Sequence, residues 1–112
     1  IYSTIGDLWL WNKALFSDQL IGSASRDKML QPYMANYGYG IGITKFTPPD
    51  LNREVHFAFH QGAVNGFRSF MTYIINEDRL IILLCNNFDI DLNPINNAIF
   101  AILHNQPYKI ED

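Results

Sequence analysis

Three strand-like runs rich in β-branched and aromatic residues occupy the second half of the chain: Val55 to Gln61, Phe67 to Ile75 and Leu80 to Cys85. Residues of these types favour β-strands over helices. Only short polar segments separate the runs, and residues 76–79 form a four-residue link suited to a hairpin. Because strands joined by such short links pair antiparallel, the runs restrict the chain to folds that contain an antiparallel sheet.

The first third of the chain predicts two helices. Apolar residues recur at close to helical spacing from Thr4 to Phe16, and Thr4 with Asp7 resembles a capping box at the start of that helix. A brief second helix is predicted from Ser25 to Leu30, with Ser25 as its N-cap.

Two further elements complete the predicted order. The segment from Tyr37 to Phe46 is rich in glycine but extended in character, which predicts a strand. A final helix is predicted to begin with Asn93 as N-cap and Pro94 at its first position, and to end near His104. The predicted fold class is therefore α+β, with an antiparallel sheet of about four strands flanked by helices.

The composition indicates one compact unit with a mild acidic charge. The 112 residues are 48% hydrophobic and carry a net charge of -3, and the eight lysines and arginines are scattered singly. This distribution offers no basic stripe for nucleic acid, and no apolar stretch approaches the roughly 18 residues that a membrane-spanning helix needs. We expect neither a nucleic-acid partner nor a membrane span in this chain.

The segment His60-Gln61-Gly62-Ala63-Val64-Asn65-Gly66-Phe67 interrupts the strand-like pattern with polar residues and glycines. A histidine at this point could serve in proton transfer. From the residues alone, two alternatives stay open. His60 could be a packed residue at the end of a strand, and Gly62 and Gly66 could mark a bulge or bend.

The block resembles the third motif of the serine β-lactamase and penicillin-binding-protein superfamily, in the branch where His-x-Gly replaces Lys-Thr-Gly. The resemblance runs in order along nearly the whole chain. It includes Ile1 to Leu8, Ala14-Leu15, Met29 to Pro32, the Tyr37 to Ile43 segment and Leu80 to Asn87. These segments look like the C-terminal part of the class C β-lactamase, esterase and DD-peptidase group.

This resemblance implies that residues 1–112 are the C-terminal portion of a serine hydrolase domain, with a partial β-lactamase/transpeptidase-like fold. Family members carry Ser-x-x-Lys and Tyr-x-Asn motifs upstream of the His-x-Gly, and the expected place of both precedes Ile1. Ser25-Arg26-Asp27-Lys28 satisfies Ser-x-x-Lys literally, but the family has a short helix there. The isolated chain is therefore expected to be inactive.

The resemblance also assigns roles within the motif. His60 would be the catalytic member, contributing to the proton network of the nucleophile or contacting a substrate carboxylate. Gln61, Gly62 and Ala63 would form the substrate and oxyanion side, with the N–H of Ala63 as one oxyanion donor. Because histidine replaces lysine, esters or peptides are favoured over classical penicillins as substrates.

Partners and location follow from the resemblance only. The parent protein is expected to act on a small-molecule or peptidoglycan-like substrate, without a cofactor, in the periplasm or outside a bacterial cell. No metal site is expected, because His56 and His60 lie four positions apart on a strand without a third ligand in the pattern. A different class of function is a non-catalytic module that uses an exposed sheet edge for binding or self-association.

Overall fold

In the computed structural model, which describes residues 2–110, three α-helices and a four-stranded antiparallel sheet form an α+β fold. The helices are α1 (Ile5–Phe16), α2 (Ser23–Met29) and α3 (Leu92–Leu103), and the strands are β1 (Gly42–Phe46), β2 (Val55–Val64), β3 (Phe67–Ile74) and β4 (Arg79–Cys85). A short 3-10 turn, Ile75–Glu77, links β3 to β4. The predicted fold class is confirmed.

The strands lie in the sheet in chain order, β1-β2-β3-β4. Side chains alternate between the two faces of each strand, and each face has its own core. Ala58 and Tyr73 pack with Phe16 on the α1 face, whereas Phe57 and Ile74 pack on the other face, where Phe100 of α3 also contacts Phe57. The helices therefore cover both faces of the sheet.

The caps of the helices confirm one sequence prediction and correct two. The Thr4 hydroxyl accepts the N–H of Asp7 at 3.1 Å, as the predicted cap requires. Ser25 is not an N-cap, because α2 begins two residues earlier with Gly22 at that position. Asn93 is not one either: Asp91 caps α3, and its carboxylate accepts the N–H of Asn93 at 2.9 Å.

Pro94 consequently occupies the third position of α3 rather than the first. A proline is tolerated there because the first four N–H groups of a helix have no intrahelical partner. The N-cap of α3 is therefore the carboxylate of Asp91, two residues before the asparagine that was predicted for this position.

The segment predicted as a strand from Tyr37 to Phe46 is regular only over β1, from Gly42. Before that point the chain folds into a tight loop, in which the N–H of Gly38 bonds to the carbonyl of Ile41 at 2.8 Å and the N–H of Tyr39 to that of Met29 at 2.9 Å. Gly40 has a φ of +72°, which extended strands do not use. These local bonds replace a continued strand ladder.

No helix within residues 2–110 combines the length and the apolar character needed to traverse a bilayer.

A buried contact between Glu77 and His104 fastens the end of α3 to the turn between β3 and β4. The side chain of Glu77 is 5% exposed and that of His104 is 2% exposed. His104 Nε2 lies 2.9 Å from a carboxylate oxygen of Glu77, and its Nδ1 lies 2.7 Å from the carbonyl oxygen of Phe100. Both ring nitrogens therefore face oxygen atoms that can accept a hydrogen bond. Arg53 reaches the same carboxylate at 2.7 Å and Arg79 lies 3.6 Å from it, so the buried anion is surrounded by donors.

We predict that Glu77→Gln lowers the free energy of unfolding by about 1–3 kcal/mol, because it removes the buried carboxylate that His104 and Arg53 share. Chemical denaturation followed by circular dichroism measures the change. The matched control is Glu54→Gln, since Glu54 contacts His56 and Lys45 but its side chain is 46% exposed. Equal effects of the two substitutions would contradict the importance of burial.

Candidate functional site

The outer edge of β2 is paired along only half of its length. β1 pairs with β2 from Phe46 opposite Val55 to Gly42 opposite Phe59, and the ladder stops there. On its other side β2 pairs with β3 as far as Val64. Within residues 2–110, no strand continues this edge beyond Phe59, so residues 60–64 form an open half-edge.

The hairpin geometry fixes which backbone groups face this open edge. A two-residue turn closes β2 on β3 at the pair Val64 and Phe67, and such a turn bonds the two residues that flank it. The direction of backbone polar groups alternates along an antiparallel strand. Gln61 and Ala63 therefore direct their N–H and C=O groups outward, whereas Gly62 and Val64 direct theirs towards β3.

His60, the predicted catalytic residue, lies where the β1 ladder ends. It is exposed and pairs with Met71 of β3. Its Nε2 lies 2.9 Å from the hydroxyl oxygen of Tyr37, and the two ring centroids are 6.2 Å apart. The histidine is therefore a hydrogen-bonded residue at the rim of the open edge, and not a core residue.

Close backbone approaches hold the loop that carries Tyr37. A Cβ atom added to Gly38 would lie 2.2 Å from the carbonyl oxygen of Met29, and one added to Gly42 would lie 2.6 Å from the ring of Phe59. Neither distance is possible for a real side chain. Glycine at these two positions is what allows the loop to pack against α2 and the sheet.

Gly62 is constrained by its neighbour across the strand. A Cβ atom there would lie 2.5 Å from the hydroxyl of Ser69, with which Gly62 is paired. The place of Gly62 on the substrate side of the motif remains a prediction. The local reason for glycine in the structure is the serine hydroxyl beside it.

The four motif residues fall on two faces of the strand, because side chains alternate. His60 shares one face with Gly62, and it borders a mainly apolar cavity of about 560 Å³ between α1 and the sheet. Gln61 lies on the α3 face, where its side-chain amide donates to Asn93 Oδ1 at 2.9 Å. Ser69 borders the apolar cavity and also a second cavity on the α3 face.

A second, more polar cavity of about 270 Å³ lies beside the motif strand and the start of α3. Its walls include Gln61, Gly62 and Ala63, together with Arg68 and residues 89–93. Arg68 donates from Nε to the carbonyl of Phe88 at 2.8 Å and stacks over that ring, 4.5 Å from its centroid. The cavity therefore combines residues of the open half-edge with a guanidinium held in place.

The acidic residue at this cavity is Asp91, the cap of α3. The N–H of Asn93 donates to its carboxylate, and this bond lowers the pKa of Asp91 below its ordinary value, with Arg68 as a minor contributor. Asp91 is therefore anionic at neutral pH and partly offsets the charge of Arg68. Within the described part of the chain, no cluster of three or more His, Cys, Asp or Glu residues is arranged to hold a metal ion.

The structure adds contacts that sequence reasoning did not predict. Tyr37, Ser69 and Asn93 contact or border the motif, although they lie far from it or across a strand. Tyr37 is 23 positions from His60, and no local spacing indicates the contact. Ser25, the formal Ser-x-x-Lys serine, is an exposed residue inside α2.

Comparison with curated proteins shows a similarity to penicillin-binding protein 4* of Bacillus subtilis (strain 168), at 29% identity over 118 aligned positions. The alignment covers the whole chain but only 26% of that protein, so the chain spans about a quarter of the relative's length. No protein-family model matches the chain, and no solved structure matches it. The similarity supports a relation to penicillin-binding proteins.

We predict that Gly38→Ala lowers the free energy of unfolding by about 1–3 kcal/mol, because the new methyl group meets a backbone carbonyl that cannot rotate away. The control is Gly6→Ala in α1, where the nearest atom to a new Cβ is 3.6 Å away. That change should leave stability unchanged or raise it by up to about 1 kcal/mol. Thermal unfolding of both variants measures the difference, and a neutral Gly38→Ala would contradict the packing argument.

Proposed function

We propose that residues 1–112 are the C-terminal portion of a β-lactamase-like serine hydrolase that forms an acyl-enzyme on an ester, amide or D-amino-acid peptide bond. The observation that carries this proposal is the open half-edge of β2 at His60 to Val64, beside a polar cavity. The similarity to a penicillin-binding protein supports the peptidoglycan-related class of substrate.

The open half-edge suits a substrate that is itself extended. A peptide-like chain can add to a free strand edge through backbone hydrogen bonds. Gln61 and Ala63 direct both an N–H and a C=O group outward, and they are two residues apart on the same edge. An acyl-D-amino-acid chain would bond to these groups as an additional short strand.

The same backbone supplies charge stabilisation for acyl transfer. Attack on a carbonyl carbon places negative charge on its oxygen, and a rigidly held N–H aimed at that oxygen lowers the barrier. In this proposal the N–H of Ala63 is one oxyanion donor, and the nucleophile's own N–H is the second. The nucleophilic serine and its base would come from a part of the parent protein outside residues 1–112.

His60 would act in the proton network on the substrate side. Its imidazole is exposed at the rim, within reach of a group docked on the open half-edge. An imidazole changes protonation near neutral pH more readily than a lysine. The motif position that carries lysine in the commoner branch therefore has no permanent cation, which favours esters or peptides.

Exposed apolar residues on α1 also support a larger parent. Ile5, Trp9, Leu10 and Trp11 are 45–60% exposed, and Trp11 borders the cavity that contains His60. Several large exposed apolar side chains on one helix are typical of a contact with another domain. In the proposal, the nucleophile-bearing lobe covers this side, and the parent works in the periplasm or outside the cell.

The alternative function is a non-catalytic assembly module. It is favoured by β4, which pairs with β3 on one side and with no other strand among residues 2–110. An open strand edge can pair with a second copy or with a partner strand. In that case the hydrolase motif would be a structural remnant.

The test compares the product of the complete reading frame with residues 1–112 alone. Both are treated with a fluorescent penicillin and with a fluorophosphonate, and the labelled serine is located by mass spectrometry. We expect label on a serine of the longer product and none on the isolated chain. His60→Ala should slow acylation of the longer product by about a hundredfold.

The matched control is His56→Ala, on the same strand face but bonded to Glu54 at 2.7 Å and away from the open half-edge. It should leave the acylation rate within about twofold of the parent. Label on a serine of the isolated chain, or an unchanged rate in His60→Ala, would overturn the proposal. If the full-length product is not labelled and dimerises through β4, the assembly module is favoured instead.

A further inference from the structure

Tyr37 and His60 form a side-chain pair at the point where the open half-edge begins. The hydroxyl oxygen of Tyr37 lies 2.9 Å from Nε2 of His60. Within residues 2–110, Nδ1 of that ring has no hydrogen-bond partner. The two ring nitrogens therefore have different environments, one bonded to a phenol and one left for the substrate side.

We propose that Tyr37 is a positioning residue for His60. The hydroxyl group of Tyr37 donates its hydrogen to Nε2 of His60 and thereby places the imidazole proton on Nδ1. A neutral imidazole has one donor and one acceptor nitrogen, and the bond made by one nitrogen decides the state of the other. The phenol is the donor because an sp² ring nitrogen accepts more readily than a phenol oxygen. His60 then presents an N–H donor while uncharged.

The loop that carries Tyr37 is built to hold it in this place. The backbone of Tyr37 is fixed on both sides: its N–H bonds to the carbonyl of Met34 at 2.9 Å, and its carbonyl accepts the N–H of Tyr33 at 3.0 Å. Two glycines, Gly38 and Gly42, permit approaches that no side chain allows. A hydroxyl on such a rigid backbone can fix the ring it bonds.

The consequence rests on the proposed hydrolase function. A neutral His60 with hydrogen on Nδ1 can donate to a carbonyl or carboxylate oxygen of a docked substrate without becoming a cation. Tyr37 would thus select substrates that present an acceptor oxygen at this position. This selection of substrates by an N–H donor would persist at a pH at which an ordinary imidazole carries no charge.

The experiment reads the ring nitrogens directly. Residues 1–112 are prepared with ¹⁵N-labelled histidine. A long-range ¹H–¹⁵N correlation NMR spectrum is recorded at about pH 8.5, where an ordinary imidazole is neutral. We expect His60 with its hydrogen on Nδ1. Tyr37→Phe keeps the ring and removes only the hydroxyl, and it should abolish this preference, leaving the mixture of tautomers of a solvent-exposed imidazole.

The matched control is Tyr39→Phe, because Tyr39 lies in the same loop but is 82% exposed. It should leave the ¹⁵N pattern of His60 unchanged, and both variants should retain the thermal unfolding midpoint. If the ¹⁵N pattern of His60 is the same in Tyr37→Phe and in the unsubstituted chain, the positioning role is overturned. Hydrogen found on Nε2 of His60 in the unsubstituted chain would also overturn it.

This readout requires no turnover, so it separates the two proposals. If Tyr37→Phe shifts the tautomer but no reading-frame product is acylated, the positioning role holds and the hydrolase function fails. If the parent is acylated, Tyr37→Phe should slow acylation by about tenfold, less than His60→Ala. Acylation slowed by His60→Ala but unchanged by Tyr37→Phe would overturn the contribution of Tyr37 to the reaction.

Discussion

The early end of the β1 ladder is the constraint on which the candidate site depends. The two strands stay paired as far as Gly42 opposite Phe59, where the phenylalanine ring occupies the space of a side chain on the glycine. Beyond this pair the chain turns away into the loop before β1. β2 continues for five residues, 60–64, with one edge paired to β3 and the other open. An edge that is held rigidly on one side and open on the other can bind an extended ligand without rearranging.

The support for this edge comes from both faces of the sheet. On one face Phe57 packs on Phe100 of α3, and the buried Glu77–His104 pair fastens the end of that helix to the β3–β4 turn. On the other face Phe16 of α1 packs on Tyr73. A site built on paired strands with packed supports holds its backbone donors more precisely than a site on loops. The packing on both faces therefore supports the strand that carries the open half-edge.

The sequence predicted the sheet well because its signals are local. Runs of β-branched and aromatic residues marked β2, β3 and β4, and a Thr4–Asp7 pair marked the start of α1. The predictions that were wrong depended on competition between neighbours: Asp91 rather than Asn93 caps α3, and Gly22 rather than Ser25 precedes α2. The site was predicted only along one strand. Tyr37 and Asn93 reach His60 and Gln61 through the tertiary fold, which no spacing in the sequence encodes.

Amide hydrogen exchange of residues 60–64 shows whether the outer edge of β2 is open from His60 to Val64. Outward N–H groups exchange with solvent, whereas N–H groups bonded to β3 are protected. We expect the amides of Gln61 and Ala63 to exchange at least about tenfold faster than those of Gly62 and Val64. Equal protection of all four amides would mean that this edge is covered and that no open half-edge exists.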